Sequence, residues 1–141
     1  MPLKHNALDI IRGRSSHRTY QPRPIESAIR ATFEDEIATP QETLFGSKVR
    51  LRLVSATESD RSSLRGLGTY GMIKNAPAFL IGCVAESPTD LEDFGYVMES
   101  ALLRATDLGL GTCWLGGSFT KSAFAEKIGT SDRERVPAVL A

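Results

Sequence analysis

Histidine and cysteine are scarce in this chain, with two of each among 141 residues. His5 and His17 do not stand at metal-ligand spacing with Cys83 and Cys113, which excludes a zinc site. Two cysteines, with no apolar signal core at the N-terminus, make no disulfide framework. Both lie in apolar runs and read as buried free thiols in a reducing cytoplasm. No apolar run approaches the ~18 residues of a membrane span, so no membrane partner is expected. Net charge is also missing, since 17 basic residues cancel 17 acidic ones. Together with the absence of basic-aromatic interleaving, this removes nucleic acid as an expected partner. The Gly-x-Ser-x-Gly nucleophile elbow and the Gly-Lys-Ser/Thr phosphate loop are absent, as is any internal repeat. Neither histidine is placed by a motif to activate Cys113 as a nucleophile.

What remains is ordinary globular composition, 41% hydrophobic and 24% charged. A chain of this length buries roughly 70% of its unfolded surface, enough for one domain spanning residues 1–141 with a real core. Charge is unevenly spread within it. From Met1 to Arg23, Lys4, Arg12, Arg14, Arg18 and Arg23 stand against Asp9 alone, a block suited to an anion. From Glu86 to Asp107, Glu86, Asp90, Glu92, Asp93, Glu99 and Asp107 stand against Arg104, and this reads as the solvated face of a helix.

Hydrophobic spacing gives the elements. Lys4 to Arg12 is a short amphipathic helix ended by Gly13, and Pro24 suits the first turn of a second helix running to about Ala38. Lys48 to Ala56 alternates as a half-buried strand, and Ala78 to Ala85 is apolar throughout, as a strand covered on both faces must be. The longest helix begins near Ser87-Pro88-Thr89. Its cap is either Ser87, or Thr89 boxed with Glu92, and Gly109 and Gly111 offer left-handed stops. Phe94, Val97, Met98, Ala101, Leu102, Ala105 and Leu108 form its apolar stripe. Thr112 to Leu115 is a short strand, Lys121 to Ile128 a helix, and Val136 to Ala141 a last strand with no polar tail. Such a strand either docks as the final element or marks an incomplete chain, and the second is expected. The order predicts an α+β fold with a mixed central sheet flanked by helices.

Three stretches can carry chemistry. Arg14-Ser15-Ser16 with Arg18 offers two forked guanidiniums and two hydroxyls, the donor set a phosphate needs. Equally, Arg12 and Arg14 would complement the C-terminal end of the first helix. Gly66-Leu-Gly-Thr-Tyr-Gly71 allows close backbone approach to a ligand, or is simply a loop. In Gly109-Leu-Gly-Thr-Cys-Trp-Leu-Gly-Gly117 a strand tip exposes backbone N–H groups to a flat heterocycle, unless Trp114 is core and the glycines only turn the chain.

Taken in order, these stretches resemble the nitroreductase family, in particular the branch called putative TM nitroreductase. The resemblance rests on Ile10-Ile-Arg-Gly-Arg-Ser-Ser-His-Arg-Thr-Tyr20, on Leu67-Gly-Thr-Tyr-Gly-Met-Ile-Lys-Asn-Ala-Pro77, and most sharply on Leu108-Gly-Leu-Gly-Thr-Cys-Trp-Leu-Gly-Gly117. It implies FMN held in a groove between two subunits of a homodimer, or between halves of a duplicated chain forming a pseudo-dimer. It also implies hydride passing from NAD(P)H through FMN to a nitroaromatic, quinone or similar small acceptor. Carried over, Arg14, Ser16 and Arg18, with Ser15 beside them, hold the FMN phosphate or the polar edge of the ring. The backbone of Leu115, Gly116 and Gly117 faces the N5 and O4 side of the ring, and Thr69 and Tyr70 lie near it. The Ser/Asn-rich loop of better-known members is replaced here by Thr39-Pro-Gln-Glu-Thr-Leu-Phe-Gly46. A non-catalytic chain of this fold that binds FMN or a nucleotide is the alternative.

Overall fold

The computed structural model describes residues 1–141. At its centre lies β2 (Ala78–Ala85), and its uniform apolarity follows from cover on both faces. Phe79, Ile81 and Cys83 point into one hydrophobic cluster, Leu80 and Val84 into the other. β1 (Val49–Ser55) pairs along one side of β2 and forms an edge of the sheet. The other side of β2 is taken by β4 (Glu134–Arg135) and β5 (Val139–Leu140), and β5 pairs in turn with β3 (Trp114–Leu115). The strand expected from Val136 to Ala141 therefore docks inside the sheet, but is broken. Residues 136–138 lie opposite only Gly82 and Cys83, so one extra residue bulges out. Pro137, which has no N–H to give a ladder, sits in that bulge. Every ladder between strands is antiparallel, so the sheet is antiparallel and not mixed as expected; parallel pairing occurs only at two isolated bridges outside its strands, Ser16 to Thr112 and Thr19 to Lys74.

α2 (Ser27–Ala38) and α3 (Asp90–Asp107) cover one face through Phe33, Ile37, Phe94, Met98 and Leu102, with Val97, Ala101 and Ala105 completing the stripe on α3. α4 (Lys121–Ile128) covers the other through Phe124 and Ile128, with Phe124 edge-on to both Phe79 and Phe119. Burial of side chains such as Met98 and Leu102 contributes about 1.5–3 kcal/mol each. α3 approaches the sheet closely because position 82 is glycine. A Cβ there would lie 2.6 Å from Met98 Sδ and 2.8 Å from Phe94 Cε2.

Helix ends differ from the expected ones for reasons of long range. α1 (Ala7–Gly13) starts three residues late, because the N–H groups of Lys4 and His5 donate to the Asp107 carboxylate. Asn6 then caps it, accepting from the Leu8 N–H at 2.9 Å. Neither expected cap of α3 forms, since Thr89 makes no side-chain cap bond and the Ser87 hydroxyl bonds that of Ser47 at 2.8 Å. Gly109 does supply the left-handed stop, at φ +83°. Gly111 does not; its missing Cβ makes room for the His17 ring, whose nearest atom would be 2.9 Å away.

The acidic stretch around α3 is not a solvated face. The buried Asp93 carboxylate accepts from the N–H groups of Leu44, Phe45 and Ser47 at 2.7–2.9 Å. Asp90 pairs with Arg135, and Asp107 holds Arg104 together with His5. Glu99 accepts from the Trp114 indole. Among the six acids only Glu86 and Glu92 face solvent freely, because the others fasten distant segments to the helix. No helix is long and apolar enough to cross a membrane. Both cysteines are free and buried, as their apolar context suggested.

Candidate functional site

The chain leaves α1 at Gly13 and runs extended from Arg14 to Tyr20 between the two other stretches. The His17 N–H donates to the Thr112 carbonyl at 3.0 Å, and Ser16 bridges Thr112. Two residues on, the Lys74 N–H donates to the Arg18 carbonyl at 2.8 Å and the Tyr20 N–H to the Lys74 carbonyl at 3.0 Å. The glycine-punctuated loop is tied down in turn. The Gly68 N–H donates to the Thr120 hydroxyl at 3.0 Å, and the Thr120 N–H to the Gly68 carbonyl at 3.0 Å. Backbone pairing thus joins stretches that lie far apart in sequence.

The basic block carries uncompensated charge. None of its lysine or arginine side chains enters an ion pair, its one paired member being His5 on Asp107, and no guanidinium of Arg12, Arg14, Arg18 or Arg23 makes a hydrogen bond. Arg14 is the informative member. Its backbone N–H closes the last turn of α1 on the Ile10 carbonyl, but its guanidinium bonds no helix carbonyl, so only Arg12 in the last turn fits the helix-end reading. Arg14 Nη1 is buried and has no partner. An orphaned buried donor costs about 1–3 kcal/mol, more when charged, and such groups are uncommon in native structures. The hydroxyls of Tyr20 and Thr112 are orphaned too, but both residues line a cavity of about 90 Å³ walled by Phe33, Leu53, Leu110 and Leu140. That volume is ample for water to meet both hydroxyls. Arg14 does not line it. Ser15, Ser16 and Arg18 are exposed, and their side chains bond nothing within the protein.

The second donor group lies past β3. Leu115 turns its side chain into the core, so only its backbone can meet a ligand. Gly116 and Gly117 are exposed, and nothing lies within 4 Å of where their Cβ atoms would be. The N–H groups of Gly116, Gly117 and Ser118 donate to nothing in the protein, and the next anchored amide is that of Thr120. Trp114, half-buried, packs on the α3 side of the core with its indole N–H 2.8 Å from Glu99 Oε2. Trp114 is therefore part of the core rim rather than a free stacking surface.

Thr69 and Tyr70 sit differently from each other. The Thr69 hydroxyl is buried and used within its own turn, accepting from the Ile73 N–H at 3.3 Å. Tyr70, at φ +50°, stands out in solvent. Burial pushes the Tyr20 phenol far above its ordinary range, which keeps it protonated.

The residues present fit a ligand that joins an anionic group to a flat ring bearing hydrogen-bond acceptors. Unpaired guanidiniums, Arg14 above all, suit the anion, and the amides of residues 116–118 suit the ring edge. Sequence reasoning missed three residues here. Lys74 lies beside Arg18 and Tyr20, with its ammonium in no ion pair. Ser118 extends the run of free amides, and Glu99 holds Trp114. Lys74 lies inside the motif of residues 67–77 and Ser118 directly after that of residues 108–117, so both have a local signal. Glu99 had none, because its role depends on which helix face meets β3.

Residues 6–141 match the profile of the family described as Putative TM nitroreductase. No curated protein matches the chain in sequence. Among solved structures, the fold is similar to a nitroreductase family protein from Clostridium difficile 630, at 20% identity and TM-score 0.69, covering 96% of this chain and 82% of that one. It is similar to a nitroreductase with bound FMN from Bacteroides fragilis NCTC 9343, at 18% identity and TM-score 0.69, covering 98% and 87%. A putative NADH dehydrogenase/NAD(P)H nitroreductase from Bacteroides thetaiotaomicron VPI-5482 is similar at 22% identity and TM-score 0.69, covering 97% and 85%. At these identities the structural likeness establishes the fold, an α+β nitroreductase-like architecture.

Proposed function

Because the chain belongs to the putative TM nitroreductase family, we propose that it is an FMN-dependent oxidoreductase passing hydride from NAD(P)H to a nitroaromatic, quinone or similar small acceptor. One observation carries the reading: a buried, unpartnered Arg14 guanidinium nitrogen within an unpaired basic block, on a segment bridged to the strand whose tip presents free amides. When bound, FMN supplies the hydride chemistry.

The chain's own residues bind and orient. Arg14 and Arg18 give the phosphate charge-assisted donors, with the Ser15 and Ser16 hydroxyls beside them. The amides around Leu115, Gly116 and Gly117 face the N5 and O4 edge and stabilise negative charge developing there. The Thr69 hydroxyl shapes its loop rather than reaching the ring, and exposed Tyr70 is free to lie over the site or against a second chain. No side-chain acid or base takes part. The second wall comes from another copy of the chain. Exposed Leu8 and Ile11 on α1, with Tyr70 and Met72 in the loop, supply apolar surface for such a dimer.

The test is to mix the purified protein with FMN, remove free flavin by desalting, and follow NADH and NADPH oxidation with and without menadione or nitrofurazone. Retained flavin absorbance with acceptor-dependent oxidation supports the proposal. Retained flavin with no oxidation by either nucleotide identifies a non-catalytic flavin binder, and a protein that retains no flavin refutes both.

A further inference from the structure

The free amides of residues 116–118 directly follow a short strand. β3 has only two residues, and its ladder partner is β5 on one edge. Ser16 bridges the chain at Thr112, Cys113 and Ala141 exchange backbone hydrogen bonds at 3.0 Å, and past Leu115 backbone anchoring resumes only at Thr120. Within β3 one side-chain hydrogen bond reaches across to a rigid element. The Trp114 indole N–H donates to Glu99 Oε2 at 2.8 Å, and Glu99 belongs to α3, whose neighbouring Met98, Ala101 and Leu102 are wholly buried. Glu99 enters no ion pair, so the indole is the group its carboxylate serves.

We infer that Glu99 is a positioning residue for the ring-binding edge: by gripping Trp114 it fixes β3 to α3 and so aims the amides of Gly116, Gly117 and Ser118. This rests on the FMN reading above. Donors act on a ligand in proportion to how well they are held before it arrives, and a shift of the strand tip misaligns all of them together. The bond is charge-assisted and partly shielded, which suits it to that task. What matters is an acceptor oxygen at this spot, so an amide of the same shape serves in its place, whereas removal of either partner releases the tip.

Four variants test this: E99Q, E99A, W114F and the double variant E99A/W114F. Each is titrated with FMN, and tryptophan emission of the flavin-free protein is recorded where Trp114 remains. Since Trp114 is the sole tryptophan, its emission reports this bond directly. E99A and W114F each raise the FMN dissociation constant about tenfold, the size of one lost charge-assisted hydrogen bond. The double variant is no worse than either single one, because both remove the same contact. E99Q stays within about twofold of the parent, and its emission matches the parent while that of E99A shifts to the red. The inference is overturned if folded E99A binds FMN like the parent, if the two single effects multiply, or if E99Q is as weak as E99A. Should E99A fail to fold, the comparison of W114F with E99Q decides. A parent protein that binds no FMN refutes the functional reading itself, whereas a parent that binds with insensitive variants refutes only the role of Glu99.

Discussion

Replacing Arg14 by methionine separates binding from stability, because the two effects have opposite signs. Methionine keeps the length of the apolar stem and removes the guanidinium. In the free protein Arg14 Nη1 is buried with no partner, so its loss relieves an unmet desolvation cost of about 1–3 kcal/mol. Allowing for lost stem packing, R14M is expected to be about 1 kcal/mol more stable, which raises Tm by roughly 3 °C in a chain of this size. With FMN present the balance reverses. A charge-assisted hydrogen bond to phosphate is worth about 1.5–3 kcal/mol, or about a 10- to 150-fold weaker dissociation constant when removed. Thermal melts of flavin-free protein and fluorescence titration with FMN read the two halves. An R14M protein that melts lower and binds FMN like the parent would show that Arg14 is a structural residue and refute the reasoning.

Three further outcomes follow from the fold. G82A places a methyl 2.6 Å from Met98 Sδ and 2.8 Å from the buried Phe94 ring; overpacking of about 1–3 kcal/mol set against the ~0.5–1 kcal/mol regained in the strand leaves a net cost of up to about 2.5 kcal/mol, so Tm falls by up to roughly 7 °C, and a rise would contradict the packing of α3. Hydrogen bonds from Arg50 hold the Glu134 carboxyl down at about 2, against an ordinary 4.5. Its stabilisation is therefore present above about pH 4.5 and is lost as pH falls towards 2; denaturant midpoints measured from pH 6 to pH 3 should fall more steeply for the parent than for E134Q, and equal slopes would refute the pairing. Burial pushes the Cys83 thiol up to about 11, and Cys113 is buried as well; Ellman's reagent at pH 8 should find both thiols only after unfolding, and prompt reaction of the native protein would contradict their burial.

Much of the fold is legible because its signals are local. The stripe from Phe94 to Leu108 announces α3 by its spacing and the unbroken apolar run from Ala78 to Ala85 announces β2, whereas the last strand, read as continuous from Val136 to Ala141, is broken by the bulge at Pro137. The site was legible as stretches, since Arg14 to Arg18 and Leu115 to Gly117 stand out by composition and order. How they meet was not. It is set by bridges such as Ser16 to Thr112, whose register depends on the whole sheet. The acidic stretch misled for the same reason. Spacing cannot tell a solvated carboxylate from Asp93, which gathers three amides nearly fifty residues away, or from Asp107, which holds the N-terminal segment. Gly111 likewise looked like a helix stop, when its requirement is room for the ring of His17.

The block from Arg14 to Arg18 is proposed to hold the phosphate of a flavin nucleotide. Parallel calorimetric titrations with FMN and with riboflavin test it most directly, because the two ligands share the ring and differ in the phosphate. FMN is expected to bind at least about tenfold tighter than riboflavin, as one charge-assisted contact requires, and R14M to narrow the gap. Equal affinity for the two ligands, or a gap unchanged in R14M, would contradict it.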